Sequence, residues 1–138
     1  MERIRVLLAD DHLVVRRGLQ SMLSNIRDIE VVGEAEDCKE TIQLASELQP
    51  DVILLDIRMP DRSGLQVAQE LRLNHPQIKI IILTTFERDG YFQTALKVGV
   101  HAYLLKDTAH RELVRAIRSV QSGKRVVGHG LMDKMWRH

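Results

Sequence analysis

The sequence predicts an α/β domain, a doubly wound parallel sheet of five strands with helices on both faces. Two observations carry this. Short Val-, Ile- and Leu-rich runs alternate five times with amphipathic stretches of helical spacing. Three of the runs lack polar alternation, as strands buried on both faces of a parallel sheet do.

The first run, Ile4–Ala9, ends in Asp10-Asp11, and Val15, Leu19, Met22 and Leu23 come after it at helical spacing. The second, Glu30–Ala35, precedes Ile42, Ala45 and Leu48, with Pro50 as the stop. The third, Val52–Leu55, ends in Asp56; Val67, Ala68 and Leu71 lie between Gly64 and Pro76. The fourth, Ile78–Thr84, leads to Phe92, Ala95, Leu96 and Val98, which end at Gly99, a helix C-terminal cap candidate. The fifth, His101–Leu105, ends in Lys106, and Leu113, Ile117 and Val120 stop before Gly123. Five βα units suit the flavodoxin-like strand order 2-1-3-4-5, whose ligand crevice lies between strands 1 and 3. The stretch KRVVGHGLMDKMWRH adds no sixth βα unit. The expected domain is therefore 1–123, with 124–138 a linker or short C-terminal helix.

The chain has 138 residues, 44% of them apolar and 28% charged, with net charge +1. That fits one domain with a core of its own, and no global charge points to nucleic acid or membrane. One cysteine, Cys38, makes no internal disulfide. No apolar run is long enough for a signal peptide or a spanning helix, so a cytoplasmic protein is expected, with no membrane partner. The six histidines share no metal-ligand spacing, although His12 adjoins the strand-end acids and could modulate them. The tail's basic residues and Trp136 read as a solvated helix rather than a nucleic-acid patch.

The chemistry lies at the strand ends. Asp10-Asp11, Asp56, Thr84-Thr85 and Lys106 all close strands, at the edge where open α/β sheets bind ligands. Asp10-Asp11 alone also reads as a helix N-cap, and Lys106 and Thr84 alone as surface and strand residues. Joint placement at four strand ends argues against coincidence. Three clustered carboxylates repel unless a cation joins them. A hard divalent ion, Mg²⁺ or Mn²⁺, fits, with Asp11 and Asp56 as ligands and Asp10 direct or through water. The backbone carbonyl of Arg58 could complete the set. Lys106 and Thr84 would then offer a charge and a hydroxyl to a phosphoryl group, with a carboxylate, most centrally Asp56, as nucleophile.

At these residues the chain resembles the response-regulator receiver domain of the NarL/FixJ class. The matching stretches are VLLADDHLVVRRGL, VVGEAED, PDVILLDIRMPDRSGL, IIILTTF and ALKVGVHAYLLKD, over residues 1 to about 125. The resemblance implies phosphorylation of Asp56 and a metal site of Asp10, Asp11, Asp56 and the Arg58 carbonyl. It implies a switch pair of Thr84 and Tyr103, a loop shaped by Pro60 and Gly64, and pocket-flanking positions at Arg58, Met59, Pro60, Thr85 and Phe86. Asp107 stands where many receivers have proline, so no cis peptide is expected there. The implied partners are a sensor histidine kinase, a second copy on phosphorylation, and promoter DNA through a C-terminal helix-turn-helix domain missing from this chain. A stand-alone regulator acting by protein contacts is the alternative. The implied domain is no enzyme beyond its own phosphorylation and dephosphorylation. A haloacid-dehalogenase-type phosphatase would need an acid where Arg58 stands, and a flavin binder would need hydroxyls and glycines where Asp10-Asp11 stand.

Overall fold

The computed structural model describes residues 2–85 and 89–127. The elements run β1 Ile4–Ala9, α1 Leu13–Ser24, β2 Ile29–Ala35, α2 Cys38–Leu48, β3 Val52–Leu55, α3 Gly64–Asn74, β4 Lys79–Thr84, α4 Asp89–Val98, β5 Ala102–Leu105, α5 His110–Gln121 and β6 Val126–Val127. The strands are parallel, in the order β2-β1-β3-β4-β5-β6. The first five keep the expected 2-1-3-4-5 order.

The sixth strand departs from expectation. Val126–Val127 reads as linker in the sequence, yet it pairs with Ala102 and Tyr103 at the free edge of β5. Val126 N–H donates to the His101 carbonyl at 2.9 Å, and the Arg125 guanidinium donates to the Val100 carbonyl. Two residues carry no periodicity of their own; an open sheet edge supplies the pairing. Residues 128–138, with the rest of the expected tail helix, lie outside the described residues.

Alternating strand residues build two cores. Leu7, Ile53, Leu55, Ile80, Ile82 and Tyr103 meet α2, α3 and α4 on one face. Val6, Leu8, Val52, Leu54, Ile81 and Leu104 meet α1 and α5 on the other. The helical stripes fall where their spacing puts them: Leu23, Ala45, Val67, Ala68, Leu71, Phe92, Ala95, Leu113, Ile117 and Val120 are buried. Leu96 is the exception and stays exposed. Gly99 and Gly123 take φ of 91° and 97°, the left-handed conformation that ends α4 and α5. No cis peptide occurs among the described residues. Among them, too, no helix is long and apolar enough to cross a membrane.

Candidate phosphoacceptor site

Parallel pairing brings the acids together. Asp56 comes directly after β3 and donates its N–H to the Ala9 carbonyl at 2.9 Å, one residue before Asp10. Asp10 in turn donates to the Ala35 carbonyl at 3.0 Å. Both backbones are thus fixed by the last rungs of the ladder, and both side chains sit at the same sheet edge. Asp10 and Asp56 are 4% and 5% exposed. One carboxylate oxygen each from Asp10, Asp11 and Asp56, and one ring nitrogen of His12, lie within 4.8 Å of one another.

Lys106 reaches this cluster from the end of β5. Its N–H donates to the Thr84 carbonyl at 2.7 Å, which ties the ends of β4 and β5 together. Its Nζ lies 2.6 Å from Asp10 Oδ2 and 3.0 Å from Asp56 Oδ2. Burial pushes the Lys106 ammonium down, but hydrogen bonds to Asp10 and Asp56 outweigh it and the net shift is up. Burial raises the Asp56 carboxyl above its ordinary range, with Lys106 pulling against it and the Asp10 charge adding to it. The lysine is nearer Asp10, so Asp56 is the less compensated of the two acids.

The N-cap alternative for Asp10-Asp11 does not hold. His12 is the N-cap of α1, with no side-chain cap bond. Asp10 Oδ1 instead accepts the His12 N–H at 2.8 Å, a local turn that aims the carboxylate toward β3. The His12 ring adds a 3.3 Å contact to the same oxygen.

The loop after β3 is held by Gly64. Its N–H donates to the Ile57 carbonyl at 2.7 Å, and Arg58 and Ser63 form an isolated antiparallel bridge. A Cβ at Gly64 would stand 2.0 Å from the Asp56 carbonyl oxygen, so only glycine permits this approach. Ser63 then caps α3 in a reciprocal box with Gln66. Across the loop, Asp61 accepts the N–H groups of Cys38 and Lys39 at 2.9 and 3.1 Å and so caps α2. Those backbone bonds hold its carboxyl down at about 2.

The remaining expected residues divide. Thr84 is buried at the end of β4, on the site's edge of the sheet. Tyr103 is buried in mid-β5, edge-on to Phe92 at 5.2 Å between ring centroids. Its hydroxyl is buried and has no hydrogen-bond partner among the described residues, and burial lifts it to about 12. Met59 is half-buried against the core, while Arg58, Pro60 and Thr85 are exposed. Phe86 lies outside the described residues.

Sequence reasoning missed Arg16. It is buried, its guanidinium donates to the Asp10 carbonyl, and Nε meets Glu34 Oε1 at 3.2 Å. The available signal was its helical register with Leu19 and Leu23, which places a charge in the apolar stripe.

Comparison with known proteins agrees with this geometry. A family model described as the response regulator receiver domain matches residues 6–118. The transcriptional regulatory protein DesR of Bacillus subtilis is 44% identical over 133 residues, covering 96% of this chain and 66% of its own length. The response regulator protein VraR of Staphylococcus aureus is 42% identical, covering 96% of this chain and 63% of its own. The chain thus spans slightly less than two thirds of these relatives. A crystal structure of a LuxR-family DNA-binding response regulator from Staphylococcus aureus superposes with a TM-score of 0.82 at 36% identity, covering 86% of this chain and 98% of that one. The chain belongs to the response regulator receiver domain family, and its relatives are two-component transcription regulators.

Proposed function

We propose that Asp56 accepts a phosphoryl group from a sensor histidine kinase in the cytoplasm, and that the domain thereby switches its binding surfaces. The observation that carries this is the convergence of Asp10, Asp11 and Asp56 with Lys106 Nζ at one sheet edge. The acid set fits a hard divalent ion, since its oxygens lie close enough to share one and two of the acids are buried. Asp11, Asp56 and the Arg58 backbone carbonyl would hold Mg²⁺ or Mn²⁺, with Asp10 bonded directly or through water. When bound, that ion supplies charge neutralisation on the phosphoryl oxygens.

The chain's own groups do the rest. An Asp56 carboxylate oxygen attacks phosphorus in line, and the bond from phosphorus to the donor's imidazole nitrogen breaks as the acyl phosphate forms. Lys106 turns from Asp56 Oδ2 toward the new phosphoryl oxygens, keeping its bond to Asp10. The Thr84 hydroxyl donates to a phosphoryl oxygen, and Tyr103 moves with it through the space that Thr84 vacates. Displacement of these two residues biases a pre-existing equilibrium of the surface built from α4, β5 and α5, or from α1 and α5. Residues 1–123 carry this function, and 124–138, apart from the two residues that pair as β6, serve as a linker or short C-terminal helix. In a longer protein like the relatives, dimerisation and promoter binding would be the output.

Incubation with acetyl phosphate and Mg²⁺, read by intact mass, tests the assignment. One phosphoryl group should add, none in Asp56→Asn, and none with chelator. Full phosphorylation of Asp56→Asn would overturn it.

A further inference from the structure

The His12 ring is placed where the proposed oxygen site has no need of it. Its Nδ1 lies 3.0 Å from Asp11 Oδ1 and 3.3 Å from Asp10 Oδ1. Only the approach to Asp10 has hydrogen-bond geometry. Two neighbouring ligands on a six-coordinate ion with bonds of about 2.1 Å stand about 3.0 Å apart, which is the spacing of Nδ1 and the Asp11 oxygen. The His12 N–H bond to Asp10 Oδ1 at 2.8 Å holds the backbone from which the ring projects beside the cluster. Its side chain is 65% exposed, so the ring can turn without disturbing the core.

We propose that His12 is a nitrogen ligand that makes this site selective among divalent ions, a reading that rests on the metal site proposed above. Mg²⁺ takes oxygen and water and leaves imidazole aside. Mn²⁺ prefers oxygen ligands but accepts an imidazole among carboxylates, and Ni²⁺ and Zn²⁺, which bind such sites more tightly, favour one. For such an ion the neutral ring carries its proton on the exposed Nε2 and turns the Nδ1 lone pair inward, beside Asp11 Oδ1. His12 is therefore the specificity-determining residue between magnesium and the transition ions, and Asp10, Asp11 and Asp56 are common to both.

The test is Mn²⁺ binding read by solution EPR, with pulsed EPR on the bound ion to detect a directly bonded ¹⁴N. The wild-type protein should bind one Mn²⁺ that excess Mg²⁺ displaces, and that ion should show a strong ¹⁴N coupling. In His12→Phe the coupling should vanish and Mn²⁺ affinity should fall about fivefold, while Mg²⁺ affinity, read by competition, stays within twofold. Bound Mn²⁺ without ¹⁴N coupling in the wild type, or with the coupling intact in His12→Phe, overturns the role of His12 and leaves the metal site standing. No Mg²⁺-displaceable Mn²⁺ in the wild type overturns both.

Discussion

Two glycines in this chain should answer the same substitution with opposite signs. At Gly64 an added Cβ would stand 2.0 Å from the Asp56 carbonyl oxygen, 2.9 Å from its carbon and 3.0 Å from Ile57 Cα. All three are backbone atoms, so no side chain can swing aside. Carbon and oxygen that are not bonded approach to about 3.3 Å, so the loop or the end of β3 must move by more than about 1 Å. Overpacking of this kind costs roughly 1–3 kcal/mol, and a rigid backbone neighbour puts Gly64→Ala near the top, at about 3 kcal/mol. At Gly18, inside α1, a Cβ meets nothing within 4 Å, and Gly18→Ala should stabilise by about 1 kcal/mol from helix propensity alone. Urea unfolding monitored by circular dichroism should therefore separate the two variants by about 4 kcal/mol. The shift at Gly64 also moves Asp56, and a misplacement of about 1 Å can cost on the order of a hundredfold in rate. Acetyl phosphate labelling should slow by at least about tenfold in Gly64→Ala and stay unchanged in Gly18→Ala. A Gly64→Ala protein within about 0.5 kcal/mol of wild type refutes the steric argument. A destabilised one that is labelled at the normal rate refutes the link between this loop and Asp56.

The buried His101 Nδ1 accepts the Ile80 N–H at 3.0 Å, so His101→Leu should cost about 1–3 kcal/mol at pH 7.5 by orphaning that donor. Burial first, then Arg72, Arg125 and Lys79, hold the His101 ring down at about 4. The unfolded chain therefore takes up this proton first, and the wild type loses stability as pH falls from about 6.5 toward 4. Urea midpoints should show the gap between His101→Leu and wild type narrowing over that window; a constant gap would count against a neutral buried ring. Burial, reinforced by Asp61, pushes the Cys38 thiol up to about 12. Ellman's reagent at pH 8 should leave the native protein unlabelled over minutes and titrate one thiol in guanidinium, and rapid native labelling would contradict the packing.

The strands β1, β3, β4 and β5 were legible because they are mostly buried on both faces and so read as largely apolar runs, while β2, half-buried and carrying Glu30 and Glu34, was legible from its place in the alternation. Errors at their starts have a physical source. His101 reads as the first residue of β5, which begins at Ala102; its backbone bonds to both neighbouring strands, but its ring nitrogen takes the Ile80 N–H that a strand carbonyl would otherwise accept. Leu96 reads as core from its spacing beside Ala95, yet α4 turns it outward. At β6, pairing comes from the open edge of β5 and from Arg125, neither of which is local in sequence. The site's membership was legible because chain order alone assigns residues to strand ends. Its internal pairing was not. Nothing in the string places Lys106 nearer to Asp10 than to Asp56, or puts Arg16 beneath the Asp10 carbonyl.

That pairing bears on which acid can react. Asp10 is the most heavily bonded of the three: its carboxylate meets Lys106 and both the backbone and ring of His12, and its carbonyl takes the Arg16 guanidinium. A carboxylate so occupied has little lone-pair density left to offer. Asp11 is a third exposed. Asp56 is buried, yet among the described residues its carboxylate bonds are the longer Lys106 contact and an Arg58 N–H at 3.4 Å. Burial without full compensation raises its proton affinity, and basicity and nucleophilicity rise together for oxygens of one type. Lys106, by leaning toward Asp10, keeps a cation beside Asp56 without quenching it. The same lysine then needs only a small rotation to meet charge that develops on a group bonded to Asp56. Asymmetry in the lysine's two contacts therefore favours Asp56 over its equally buried neighbour as the proposed nucleophile.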